Sequence, residues 1–235
     1  MIINGTLNFY APAGLTSYTI PDSVTKIGSK AFYLLIGLTS ITIPDSVTEI
    51  GDQAFECCYS LTSVTIGNSV TSIGYSAFNR CESLTSVTIP DGVTSIGHTA
   101  FCGCYSLTSI TIPDGVTSIG YNTFGGCKLT SITIPDSVTE ILQRAFDNCS
   151  SLTSVTIGNS VTWIGDEAFQ KCSGLKTIYC KAKTPPRVDT GYSFRGVFED
   201  VNTSLISLYV PTGCKAAYAA ADEWKKFTTI IETEF

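Results

Sequence analysis

At 235 residues, with 43% hydrophobic and 14% charged side chains, the chain is too apolar for disorder and too sparsely charged for a long-helix protein. A net charge of −6 and a pI near 4.7 exclude a nucleic-acid-binding surface, which needs a basic stripe to displace phosphate counterions. No apolar run approaches the roughly 18 residues of a membrane span, so no membrane insertion is expected in this chain. The first segment, residues 1–14, lacks the basic start and apolar stretch of a signal peptide. It carries an Asn4-Gly5 turn signal between short apolar runs, which predicts a small hairpin or partial turn over the first repeat.

Seven repeats then fill residues 15–174, led by Leu15, Leu38, Leu61, Leu84, Leu107, Leu129 and Leu152, and Leu175 opens the next unit. The step is 23 residues everywhere except from Leu107 to Leu129, where it is 22. In each unit LTSVTI reads as a strand with every second side chain inward, and Pro-Asp-Ser/Gly or Gly-Asn-Ser makes a turn. A short extended VTSI runs into a glycine, and a segment such as YSAFNRC is long enough for one helical or 3₁₀ turn. One unit cannot bury its own apolar face. Stacked units can, with parallel strands about 4.8 Å apart, and this predicts a rod of eight or nine coils with its phenylalanines in one column.

After Leu175 the module breaks at Thr184-Pro185-Pro186, and residues 187–203 read as an irregular insert. Leu205, Leu208 and Val210 restore the spacing. The alanine-rich span 213–227 predicts the one true helix, lying over the last coil within a C-terminal capping region, 175–235; residues 228–231 predict a last strand.

The pattern L-x-x-[VI]-x-[IV]-P-x-x-[VL]-x-x-I-G-x-x-A-F-x-x-C over residues 15–180 resembles the BspA-like leucine-rich-repeat family. So does the tail, with YCKAKTPP at 179–186, LYVPTG at 208–213 and AAYAAADEWKKF at 216–227. The resemblance implies an α/β fold: a right-handed, β-rich leucine-rich-repeat solenoid of parallel strands with a helix-containing C-terminal cap. It also implies an extracellular or cell-surface location, in host-associated anaerobic bacteria, and for some members adhesion to host matrix proteins or other cells. Two departures stand out: Leu142 replaces the glycine of the pattern, and the fifth repeat is one residue short.

The chemistry of the side chains points away from catalysis. Six of the ten cysteines (Cys58, Cys81, Cys104, Cys127, Cys149 and Cys172) share one repeat position. Their parallel Cβ vectors do not suit disulfides, and buried thiols pack as small hydrophobes. Cys180 and Cys214 lie outside that ladder and could pair with each other. His98, the one histidine, sits at a variable surface position. The turn acids Asp22, Asp45, Asp91, Asp114 and Asp136 form a row better explained by turn capping than by calcium. No catalytic set, metal or cofactor is expected, and the chain is not expected to be an enzyme.

The outward strand positions Ser63, Thr65, Ser86, Thr88, Ser109, Thr111, Ser131, Thr133, Ser154 and Thr156 should line one sheet face, which changes to Tyr179 and Tyr209 near the end. Such a face is either a solvated surface of good strand formers or a binding surface. The leading expectation is a monomeric, noncatalytic, adhesin-like module that meets a protein or polysaccharide on host or bacterial surfaces. The alternative is a spacer or stalk, including a Ser/Thr lattice that binds an ordered surface.

Overall fold

The computed structural model describes residues 1–8, 14–188 and 195–235. The repeats wind into a parallel β-solenoid of about nine coils. Each coil contributes to two ribbons. The first ribbon is built from LTSVTI segments: Ser17–Thr19, Ser40–Thr42, Ser63–Thr65 and Ser86–Val87 pair in parallel, coil upon coil. It resumes with Ser131–Ile134, Ser154–Ile157, Thr177–Cys180, Ser207–Pro211 and Thr229–Thr233. A single bridge, Ser86 to Ser109, continues the ladder into the intervening fifth coil.

The second ribbon comes from VTSI segments, two residues each, such as Glu49–Ile50, Ser72–Ile73 and Ser95–Ile96, then Ser118–Ile119 through Arg187–Val188. At its N-terminal end Ile2–Ile3 runs antiparallel to Thr6–Leu7 about Asn4-Gly5, and Thr6–Leu7 pairs in parallel with Lys26–Ile27.

The third side of each coil is neither α nor 3₁₀ helix, contrary to the expectation from its length. Its N–H groups alternate in target. Ala31, Tyr33 and Leu35 donate locally to the carbonyls of Gly28, Lys30 and Phe32, while Lys30, Phe32 and Leu34 donate to Asp52, Ala54 and Glu56 of the next coil. A helix would spend every donor inside its own turn. Here half of them tie coil to coil instead. The geometry needs positive φ twice per coil, as at Lys30 (58°) and Leu34 (60°), which fits successive type II turns. Gly103 and Gly126 fill two of these positions without steric cost.

Inside, the phenylalanine column is continuous. Neighbouring rings from Phe32 to Phe169 stack with centroids 4.9–5.8 Å apart and planes within 15° of parallel. Phe198 extends it, 5.8 Å from Phe169. The span expected to be an irregular insert is therefore, in its described part, another coil. Arg187–Val188 joins the second ribbon, and the Phe169 N–H donates to Val197 as its predecessors do to alanine or, for Phe101, to Thr123. Val197-Phe198 stands in for Ala-Phe, a substitution the repeat pattern hides.

The ladder cysteines explain their own conservation of position along the chain. Each thiol donates to the phenylalanine carbonyl of the preceding coil, Cys58 to Phe32 at 3.1 Å and Cys104 to Phe78 at 3.3 Å. Burial pushes the Cys58 and Cys172 thiols up to about 12, so they are not nucleophiles at neutral pH. All ten cysteines are free, including Cys180 and Cys214, which do not pair. Only Cys102 and Cys214 are partly exposed. A thiol reagent should therefore titrate two cysteines rapidly in the native protein and the other eight only on unfolding.

Two threonine ladders also cross coils. Thr39, Thr62 and Thr153 bond through Oγ1 to the carbonyls of Thr16, Thr39 and Thr130, at 2.9–3.1 Å. Thr48 and Thr71 do likewise on the second ribbon, each at 3.2 Å.

At the C-terminal end the helix is short. Lys215–Ala220 is helical, Ala221 is extended, and Trp224–Lys226 forms a 3₁₀ turn after Glu223 at φ 65°. Tyr218 and Trp224 are fully buried. Their polar ends decide the docking: the Tyr218 hydroxyl donates to Ala182 O at 2.7 Å, and Trp224 Nε1 to Pro186 O at 2.9 Å. A continuous helix over 213–227 would leave those anchors on different sides, so tertiary bonding breaks it.

Candidate binding face

The first ribbon exposes one column at each alternate position. Pairing is in register: Ser63 opposite Ser86, Ser131 opposite Ser154, Thr133 opposite Thr156. Val64, Val87, Ile132 and Val155 between them are buried, as strand alternation requires. Ser63, Thr65, Ser86, Thr88, Ser109, Thr111, Ser131 and Thr133 are exposed, and Ser154 and Thr156 are half-buried. The two flanking threonine ladders are satisfied by carbonyls, but these outward hydroxyls have no side-chain hydrogen bond to the described residues.

The face is not uniform. Where the ladder thins to one bridge, a depression of about 560 Å³ opens across three coils, lined by Ser86, Thr88, Ser109, Thr111, Ser131 and Thr133 among others. The shortened fifth repeat lies in this region. Farther along, the threonine column becomes aromatic. Thr156 stands opposite Tyr179, Tyr179 opposite Tyr209, and Tyr209 opposite Ile231. The Tyr179 and Tyr209 rings stack with centroids 4.7 Å apart, and Phe235 meets Tyr179 edge-on at 6.5 Å.

A larger groove of about 880 Å³ lies past the ends of these strands. Asp136, Asn159, Lys181, Lys183, Thr212 and Phe235 line it. The sequence reading did not find this groove. Its signal was KAKTPP, which replaces the tight Pro-Asp turn with a longer segment.

The remaining polar candidates have structural employment. His98 is exposed, and its Nδ1 accepts the Tyr121 N–H at 2.8 Å, while it lines neither depression. Asp45 and Asp136 accept the N–H of Asn68 and Asn159 in the next coil, at 2.6 and 2.9 Å. Buried Glu167 pairs with Arg144 and Arg195 and so pins the seventh coil to the sixth and the eighth. No helix among the described residues is long and apolar enough to cross a membrane.

Comparison with known proteins agrees with this architecture. The model of the BspA type leucine-rich-repeat region matches in six copies, over residues 5–107 and 94–215. A leucine-rich cell surface protein from Faecalibacterium prausnitzii is 31% identical, with a TM-score of 0.73 over 96% of this chain and 67% of that one. A leucine-rich-repeat protein from Bacteroides ovatus is 28% identical, with a TM-score of 0.72 over 97% of this chain. This chain spans 64% of the length of that protein. The T. pallidum leucine-rich-repeat protein is 28% identical, with a TM-score of 0.64 over 68% of this chain and 78% of that one. No curated protein matches. The stacked coils, the stacked rings and the family match over nearly the whole sequence lead to one assignment: the chain belongs to the BspA type of leucine-rich-repeat proteins.

Proposed function

We propose that this chain is a noncatalytic, adhesin-like binding module of the cell surface or extracellular space. It engages a protein or polysaccharide on host or bacterial surfaces through the outward side of the first ribbon. The observation that carries the reading is the set of outward hydroxyl rows with no side-chain hydrogen bond to the described residues, ending in a stacked tyrosine pair. Hydroxyls that already have solvent partners lose little when they exchange them for a ligand, and tyrosines add area at low entropy cost. The cell-surface description of the Faecalibacterium relative supports the location.

The test is capture of host matrix proteins and bacterial surface polysaccharide by the wild type and by a Thr88→Val/Thr111→Val variant. Valine keeps the strand and removes two hydroxyls from the central depression. Losing two hydrogen bonds of about 1 kcal/mol each should weaken capture at least about tenfold, with melting unchanged. Silence of the wild type on both panels, or equal capture by the variant, overturns the reading.

The in-register rows also favour a second reading, a spacer whose Ser/Thr lattice matches an ordered surface with a repeat near about 4.8 Å. Ice-shaping assays check that version, and unmodified crystals dismiss it.

A further inference from the structure

We propose that the groove beyond the first ribbon's C-terminal strands is a saccharide-binding site for carboxylate-bearing polysaccharide, with Tyr179, Tyr209 and Phe235 as its stacking edge and Lys181 and Lys183 as its anion contacts. This deepens the binding reading above and rests on it, because it names one ligand class for one end of the same face.

Size comes first. About 880 Å³ is within the roughly 300–1,000 Å³ typical of ligand clefts, and the groove is partly open to solvent. The lining is mixed. Val161, Ala182 and Pro211 give an apolar floor, while Asn159, Thr162 and Thr212 supply amide and hydroxyl groups suited to sugar hydroxyls.

The aromatic edge is the second observation. Phe235 lines the groove, is 54% exposed, and meets the Tyr179–Tyr209 stack. Most other aromatic rings of the solenoid are sealed in the core column or stand singly on the surface. Here Phe235 lines the cleft itself and the half-buried Tyr179–Tyr209 stack continues from it through Tyr179, an aromatic edge that suits the C–H face of a pyranose.

Charge is the third. Residues 15–174 hold 6 Lys/Arg against 13 Asp/Glu. Residues 176–187 reverse this, with Lys176, Lys181, Lys183 and Arg187 and no acid. Neither Lys181 nor Lys183 is in an ion pair among the described residues. The groove's own acids are Asp136 and Glu234, and Asp136 has one carboxylate oxygen held by the Asn159 N–H. The lining thus balances two cations against two acids, where the repeats carry about twice as many acids as bases, and its two ammonium groups are outside any ion pair among the described residues and supply the anion contacts.

The experiment is affinity electrophoresis of the full chain in gels containing polygalacturonate, its methyl-esterified form, or dextran. Polygalacturonate should retard the wild type, and retardation should fall steeply with added salt as screening grows. Lys181→Gln/Lys183→Gln and Phe235→Ala should each weaken it about tenfold or more, with unchanged melting, because all three side chains line the groove and Phe235 is exposed. The methyl ester, with the same backbone and no charge, should bind far less. His98→Gln, at an exposed position that lines neither depression, should be retarded like the wild type, and the separate capture assay of Thr88→Val/Thr111→Val reads the central face, so failure of the groove and failure of the face are distinguishable. No retardation by polygalacturonate, equal retardation by the ester, or full retention in the lysine variant overturns the proposal.

Discussion

Phe101→Ala should cost roughly 3–5 kcal/mol of stability, the usual range for truncating a fully buried aromatic side chain. The ring lies between Phe78 at 5.4 Å and Phe124 at 5.8 Å, so its loss uncovers a face on each. The cavity cannot collapse easily. The backbone on either side is fixed by the Phe78 N–H to Ala100 and the Phe101 N–H to Thr123, at 2.8 and 2.9 Å. In a stacked array each coil touches only its neighbours, so a weak central coil also uncouples the two halves. Urea denaturation should therefore show a lower midpoint and a shallower slope, the sign that the halves melt separately. A loss well under about 1 kcal/mol would contradict the column as the main packing element.

Gly97→Ala should destabilise by about 1–3 kcal/mol, although it adds a single methyl group. A Cβ at this corner would stand 2.5 Å from Gly74 C and Tyr75 N of the preceding coil. Those are backbone atoms, and the coil cannot retreat because the Gly97 N–H bonds Ile73 O at 2.8 Å. Glycine recurs at this corner as Gly51, Gly74, Gly97 and Gly120, while Leu142, half-buried, takes it only in the coil that follows the shortened repeat. Gly92 supplies the control. Its Cβ would find its nearest atom at 3.5 Å, and five of the seven repeats, the preceding one with Ser69 included, carry serine there, so Gly92→Ala should be neutral or gain up to about 1 kcal/mol through the unfolded chain. Thermal melts of the two variants side by side check the contrast; equal losses would show that coil contact at Gly97 is not the cause.

The groove illustrates how a site escapes sequence reading. Its lining comes from residues 136, 159, 161–162, 181–184, 211–212 and 233–235, scattered over a hundred positions. Residues 181–184 and 211–212 fall in the tail motifs, but those mark the family and no ligand, because sugar or anion recognition needs convergence in space and no fixed spacing. The eighth coil escaped for a related reason. Val197-Phe198 satisfies the same packing as Ala-Phe, but the altered residue and the intervening segment conceal the period.

By itself the sequence determined the solenoid, the inward leucine, valine, isoleucine, phenylalanine and cysteine columns, and the outward rows from Ser63 to Thr156, exposed as far as Thr133. Periodicity suffices for these because stacking repeats one local solution, and every coil meets a near copy of itself. The tertiary structure alone decided where each polar group spends its hydrogen bonds. It turned the expected helical corners into linked turns, cut the C-terminal helix to Lys215–Ala220, and gathered Phe235, Tyr179 and the two lysines at one end. Those outcomes depend on which donor finds which acceptor in a neighbouring coil, a three-dimensional competition that composition and spacing do not encode.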